Sequence, residues 1–390
     1  MSPLDAAIVG LGITEVGKVY GRSAPDFAAD AVRRAVADAG LALSDVDGLL
    51  VSSGTTGDVD LSLQRRLGLQ DLRLLSEMQA FGATAGAMLG HAAAAVTSGL
   101  ADVVACVFAD APRRVGESSG AAYGARRRYP LRGSAALRTV AGVNPTVGYA
   151  LAARRHMAAF GTTSEQFGAV AVAQRRWAAL NPRAEMRAPL TLDEHQASRW
   201  IAEPLHLLDC CLVSNGGAAV VVTRADRAAD LARPPVHVLG VGQGHPGHPP
   251  ARGSDFGLRT GAAVSGPAAL RMAGVGVEDV DVLELYDCYT YTVVVTLEDY
   301  GFCAKGEGGP FVAAGHTAPG GALPTNTGGG QLSSYYLWGM TPLTEAVLQA
   351  RGEAGERQVP RHDVVLVSGN GGVLDHHSTM VLSPHRAERR

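Results

Sequence analysis

The chain has 390 residues, of which 46% are apolar and 18% charged, with a formal net charge of −3. That length allows two to three domains or one large duplicated core, and the apolar share is ordinary for a soluble protein with a buried interior. The near-neutral charge gives no reason to expect nucleic acid as a partner. The five cysteines (Cys106, Cys210, Cys211, Cys288, Cys303) contain no CxxC pair, which argues against a disulfide framework or a metal site.

Met1 to Ala7 leads straight into an apolar strand, Ile8-Val9-Gly10-Leu11-Gly12, leaving no room for a secretion signal. A cytoplasmic protein is expected. A helix follows from Pro25 to Ala39, with Asp26 in its first turn and Gly40 as its stop. A second, from Thr84 to Val96, is almost entirely Ala, Gly and Met, and a helix apolar on every side belongs in the middle of a fold. The stretch from His91 to Ala109 is broken by Ser98-Gly99 and Asp102, so it reads as a buried helix and strand and not as a membrane span. Strands and helices alternate up to residue 110, which predicts an α/β protein with layered parallel sheet.

Residues 111–205 are polar and Arg-rich, with helices near Val147–Phe160 and Ser164–Leu180; they read as an inserted loop or cap domain. Ala219-Val220-Val221-Val222-Thr223 resumes the sheet, and Arg233-Pro234-Pro235 joins a second half that ends in the strand Thr379–Leu382. This gives three units: residues 1–110 with 206–232, residues 111–205, and residues 233–390. The outer two echo each other. Ala39-Gly40-Leu41-Ala42-Leu43-Ser44-Asp45-Val46-Asp47-Gly48-Leu49-Leu50-Val51 aligns without a gap to Ala273-Gly274-Val275-Gly276-Val277-Glu278-Asp279-Val280-Asp281-Val282-Leu283-Glu284-Leu285. Each copy ends a helix, turns at Gly, passes an Asp-Val-Asp loop and enters a strand. The spacing is far too long for a solenoid unit, so the chain consists of two similar α/β halves.

Several motifs have plain readings. Gly10-Leu11-Gly12 lacks the third glycine of a dinucleotide fingerprint, since Glu15 stands there. His245-Pro246-Gly247-His248 has no third ligand for a metal. Arg126-Arg127-Arg128 could hold phosphates of a nucleotide-like ligand or form a solvated loop. Three segments carry polar groups at strand ends or on Gly-rich turns, where α/β sheets place their ligands. They are Leu285 to Tyr291, the expected flexible loop Asn326 to Gly339, and Gly369-Asn370-Gly371-Gly372 after the strand Val364–Val367.

These segments, with Ser164-Glu165-Gln166-Phe167, Asn181-Pro182-Arg183-Ala184, Pro204 to Cys211 and Leu297-Glu298-Asp299-Tyr300-Gly301, resemble the sterol-carrier-protein-x branch of the thiolase superfamily. The resemblance implies a thiolase fold: duplicated βαβαβαββ halves in a layered α-β-α-β-α core with an inserted loop domain. It also implies a nucleophilic cysteine near position 82, where this chain has Phe81-Gly82-Ala83-Thr84. Without that thiolate no acyl-enzyme forms by the usual route, so thiolase activity is not expected. The histidine position of the Gly-rich loop carries Tyr336, and the position opening the Asn-Glu-Ala-Phe-type motif carries Tyr286.

A tyrosine pair in those places resembles the thiolase-like retro-aldolases of steroid side-chain degradation, often called lipid-transfer proteins. The implied activity is cleavage of a bulky β-hydroxyacyl-CoA into a ketone or aldehyde and a short acyl-CoA. Tyr286 and Tyr336 would act as acid and base. Asp287, His376 and His377 are candidates to tune them, and Asn326, Gly371 and Gly372 to stabilise the enolate. No covalently bound cofactor is expected; the CoA thioester is the substrate. The resemblance further implies a homodimer that joins a separate OB-fold, zinc-ribbon protein in a heterotetramer. Two other readings fit the same residues: a non-catalytic scaffold or acyl-CoA carrier, and aldol-direction condensation or acyl transfer in a biosynthetic pathway.

Overall fold

The computed structural model describes residues 4–123, 144–247 and 253–386. The Arg126-Arg127-Arg128 cluster and His248 lie outside these residues. The strands are β1 Ala6–Ile13, β2 Gly48–Ser53, β3 Leu74–Glu77, β4 Val103–Asp110, β5 Trp200–Ala202, β6 Leu205–His206, β7 Gly216–Arg224, β8 Val236–Gly244, β9 Val282–Glu284, β10 Val365–Gly371 and β11 His376–Ser383. Nine of them form one sheet in the order β3-β2-β4-β7-β1-β8-β11-β10-β9, and β5 and β6 form a separate hairpin.

The duplication is visible in that order. In the first half β2 runs parallel to β3 and β4, while β7 runs antiparallel to β4 and β1. In the second half β9 runs parallel to β10 and to a bridge at Thr325, while β11 runs antiparallel to β10 and β8. The halves meet where β1 and β8 pair antiparallel at Ala7–His237 and Ile8–Val236.

Alternate strand residues face opposite sides, and two apolar clusters follow. Ala7, Val9, Leu49, Val51, Val103, Val107 and Val221 pack under α1, Ala24–Asp38. Ile8, Leu50, Val104, Phe108, Val220 and Val222 share the other cluster with the second half. Helix α2, Thr84–Ser98, touches strands of both halves, as its all-round apolar sequence requires. Two helices from the insertion, α3 Pro145–Phe160 and α4 Ser164–Ala179, come next, and the Asn144 and Thr163 side chains cap them. Helix α5, Ala262–Ala273, covers β8 and β11; α6, Thr290–Tyr300, follows β9; α7, Met340–Ala350, also touches strands of both halves.

The Gly10-Leu11-Gly12 motif has a packing role. A Cβ on either glycine would overlap a carbonyl of α1, at Ala35 and Ala31, and Gly240 and Gly242 lie equally close to Ala269 and Ser265 of α5. Both halves thus use glycine to bring a strand against a helix backbone. Two expectations need correction. Gly369-Asn370-Gly371 belongs to β10 and pairs with His376–Ser378, so the final strand opens at His376 and not at Thr379. The Asn326 to Gly339 segment is a packed one. Residues 326–335 are all buried, and its glycines serve close approach and left-handed turns at Gly329 (φ +94°) and Gly330 (φ +60°).

Candidate active site

Tyr286 sits just past β9 and Tyr336 just before α7, and their hydroxyls lie 3.0 Å apart. The rings meet edge-on, with centroids 6.5 Å apart. Each tyrosine is fixed through its backbone. The Tyr286 N–H donates to Ser368 Oγ at 3.0 Å, and its carbonyl accepts from Thr292 Oγ1 at 3.0 Å. The Tyr336 N–H donates to Ser214 Oγ at 3.0 Å.

The two tyrosine segments are sewn together. Asn326 Oδ1 accepts from the Leu285 N–H at 2.6 Å, and Glu284 Oε1 accepts from the Thr327 N–H and hydroxyl at 3.0 and 2.8 Å. Asp287 is fully buried and accepts from the N–H groups of Gln331 and Leu332 at 2.9 to 3.1 Å, capping the turn Gly330–Ser334 that leads to Tyr336. Burial pushes its carboxyl up to about 7, against the backbone donors that favour the anion. A third segment ties both: the Cys211 N–H donates to the Cys288 carbonyl and the Leu212 N–H to the Gln331 carbonyl, at 3.0 and 2.9 Å.

Gly82, near where the thiolase resemblance implies a cysteine, leaves no room for a side chain. A Cβ there would overlap the ring carbons Cε2 and Cζ of Tyr286 and the carbonyl oxygen of Asn370. The ring of Tyr286 thus fills the space that any side chain at position 82 would enter. The turn Phe81-Gly82-Ala83-Thr84 has a counterpart in Trp338-Gly339-Met340-Thr341. Phe81 and Trp338 both adopt the left-handed region (φ +52° and +48°), which is strained for aromatic residues. In each turn a threonine hydroxyl accepts from a backbone N–H four residues upstream, Ala80 to Thr84 at 2.7 Å and Leu337 to Thr341 at 2.9 Å.

The other expected residues separate. His377 is buried and bonded through Nε2 to the Tyr300 hydroxyl at 3.0 Å, and burial lowers it to about 3. It is neutral at physiological pH and supplies no charge to the tyrosine pair. His376 meets His245, Nδ1 to Nδ1 at 3.1 Å, and stacks on Phe81 at 6.3 Å. Gly371 ends β10 and Gly372 follows it, with the Gly372 carbonyl accepting from the Tyr149 hydroxyl at 2.7 Å. The Asn326 side-chain amide nitrogen is buried with no hydrogen-bond partner among the described residues, and Asn326 borders a small cavity lined also by Glu284, Asp287, Tyr335 and Glu345.

Residues without a sequence signal complete the site. Tyr149, on α3, also accepts from Asn370 Nδ2 at 2.8 Å and so holds the β10 end from the insertion. Ser214 is a single serine whose role appears only in the fold, whereas Ser368 stands where the thiolase resemblance places a second cysteine. Among the described residues no three His, Cys, Asp or Glu side chains converge as metal ligands, and no helix is long and apolar enough to cross a membrane.

Comparison with known proteins places the chain among relatives. Residues 242–384 match the family model described as thiolase C-terminal domain-like. The chain is 40% identical over 382 residues to a steroid side-chain-cleaving aldolase from Thermomonospora curvata, covering 95% of this chain and 96% of that protein. It is 39% identical over 384 residues to 17-hydroxy-3-oxo-4-pregnene-20-carboxyl-CoA lyase from Mycobacterium tuberculosis, covering 94% and 97%. The solved structure of the Ltp2-ChsH2(DUF35) aldolase superposes with a TM-score of 0.86 at 38% identity, covering 98% of both chains. The chain belongs to the same family as these aldolases and lyases, within the thiolase superfamily.

Proposed function

We propose that this chain is a CoA-thioester retro-aldolase in which Tyr286 and Tyr336 perform the proton transfers. The observation that carries the reading is the 3.0 Å contact between their hydroxyls. A retro-aldol needs no nucleophile. A base removes the proton of the β-hydroxyl, the Cα–Cβ bond breaks as the β-carbon becomes a carbonyl, and the bonding electrons pass to the thioester as an enolate. An acid then protonates Cα to give the short acyl-CoA. A phenol is a poor base alone, but a phenolate that accepts a hydrogen bond from a second phenol is stabilised. The pair therefore supplies one proton acceptor and one donor within reach of each other.

The enolate oxygen needs donors. The free amide N–H of Asn326 and the backbone at Gly371-Gly372 are our candidates, with Asp287 holding the Tyr336 turn in place. The names of the relatives point to a bulky acyl group, with steroid side-chain thioesters the first to test. The neighbour's name couples the aldolase with ChsH2(DUF35). In line with it, we place this chain in a homodimer that recruits a separate OB-fold, zinc-ribbon protein, in a cytoplasmic heterotetramer.

The test is turnover of a panel of branched β-hydroxyacyl-CoA thioesters by wild type, Tyr286→Phe and Tyr336→Phe. Release of acetyl-CoA or propionyl-CoA with an equal amount of ketone by wild type, reduced about 10²–10⁴-fold in each variant, is the expected result. Tight thioester binding by all three proteins with no turnover by any would support the scaffold reading instead.

A further inference from the structure

Phe81 is 47% exposed, yet its backbone is held in a costly conformation that keeps the ring where it is. Its N–H donates to Gln79 Oε1 at 2.9 Å, the Ala80 N–H to Thr84 Oγ1 at 2.7 Å, and the Ala83 N–H to the Ala80 carbonyl at 3.1 Å. Three bonds therefore fix a turn whose visible product is an aromatic ring turned outward. Trp338 lies behind it with ring centroids 5.9 Å apart, and His376 stacks beside it at 6.3 Å and 16°. Trp338, at the matching place in the second half, is 9% exposed and rests on Phe108 at 5.2 Å. Of this duplicated pair one ring is buried in the core, and the other is presented.

The location decides what the presented ring can meet. Phe81 adjoins Gly82, whose missing side chain would overlap Tyr286 Cζ, the carbon that bears the reacting hydroxyl. Consecutive Cα atoms are about 3.8 Å apart, so the Phe81 backbone lies next to the residue that packs on the Tyr286 ring. The adenine of CoA is separated from the thioester by the whole pantetheine arm and is not the group expected beside the thioester carbons. The part of a β-hydroxyacyl-CoA that is both apolar and close to the β-carbon is the fragment that leaves as the ketone.

We propose that Phe81, backed by Trp338 and His376, is the specificity-determining residue that recognises the apolar ring system of this ketone fragment. The proposal rests on the retro-aldolase reading for the orientation of the substrate, and a binding measurement separates the two. The full-length chain, co-expressed with the OB-fold partner proposed above, would be given two thioesters, (2-hydroxydecalin-2-yl)acetyl-CoA and 3-hydroxy-3-methylbutyryl-CoA. Cleavage would release 2-decalone or acetone, each with acetyl-CoA. Phe81→Ala is expected to lower kcat/KM for the fused-ring ester about tenfold or more, mainly through KM, and to change the dimethyl ester less than about threefold. Phe81→Leu should recover part of the loss.

In parallel, 2-decalone binding would be followed by quenching of tryptophan fluorescence, with the expectation of a matching loss of affinity in Phe81→Ala. Equal effects on both esters would overturn the proposal. So would weakened binding of free CoA in Phe81→Ala, which would assign the ring to adenine. If wild type cleaves neither ester, the retro-aldolase reading fails and the 2-decalone measurement alone decides: Phe81-dependent binding sustains the ring's role, and Phe81-independent binding or none removes it.

Discussion

The turns that open α2 and α7 are the same device used twice with opposite results. Phe81-Gly82-Ala83-Thr84 and Trp338-Gly339-Met340-Thr341 share a left-handed aromatic, a glycine and a threonine that accepts from the chain upstream. They also pack on each other, for a Cβ on Gly339 would overlap the Gly82 carbonyl. The second-half turn delivers a hydroxyl, through Tyr336 two residues before Trp338. The first-half turn delivers a gap that the ring of Tyr286 fills. A duplicated frame can therefore keep its backbone and serve two ends, one copy presenting the Tyr336 hydroxyl and the other giving room to the Tyr286 ring.

The sharpest way to break this comparison is to fill the room. Gly82→Ala should displace the Tyr286 ring and lower kcat about 100-fold or more, with a stability loss of about 1–3 kcal/mol from overpacking. A stable, fully active variant, by melting temperature and turnover, would show that the gap is incidental. The next effect concerns the Asp287 cap. Because its carboxyl sits near 7, protonation below that pH weakens an acceptor that holds the Tyr336 turn. We expect an acidic limb near pH 7 in kcat/KM, and loss of that limb in Asp287→Asn together with an activity about tenfold lower. The stability sign is opposite: a folded-state pKa raised above the unfolded value contributes stability below about pH 4 that is lost as pH rises through about 7. Denaturant melts at both pH values would check it.

Smaller effects sharpen the comparison. Tyr149→Phe removes the hydroxyl between Gly372 and Asn370 and leaves both without that partner, at a cost of about 1–3 kcal/mol. If α3 merely covers the site, stability will fall with kcat unchanged; if it holds the β10 end in register, kcat will fall too. Thr84→Ala and Thr341→Ala each remove one buried acceptor, for about 0.5–1.5 kcal/mol. Matching losses in urea titrations are expected if the turns are equivalent, and clearly unequal ones would count against it.

Much of this is legible in the sequence. The paired Asp-Val-Asp loops announce two halves, and the sheet order repeats accordingly. The tyrosines stand at strand and helix ends, where motif spacing is informative. What the sequence hides is long-range. Ser214 to Tyr336 and Tyr149 to Gly372 are bonds across more than 100 residues, and neither leaves a local pattern. Sequence points Asp287 at the tyrosine hydroxyls, whereas its carboxylate bonds backbone N–H groups, because it sits at the buried start of a turn. That position 82 carries no side chain can be read from Gly82 itself. That the position is sealed by Tyr286 and Asn370 cannot, because the overlap joins segments some 200 to 290 residues apart.

The thiols carry a last consequence of the fold. Burial raises all five cysteines, with Cys106, Cys288 and Cys303 near 12 and Cys210 and Cys211 also far above the ordinary thiol range. Alkylating agents and peroxide attack thiolates, and at neutral pH this chain offers almost none. It should keep its activity in iodoacetamide or mild peroxide that silences a cysteine-dependent relative, which makes it a catalyst suited to oxidising conditions.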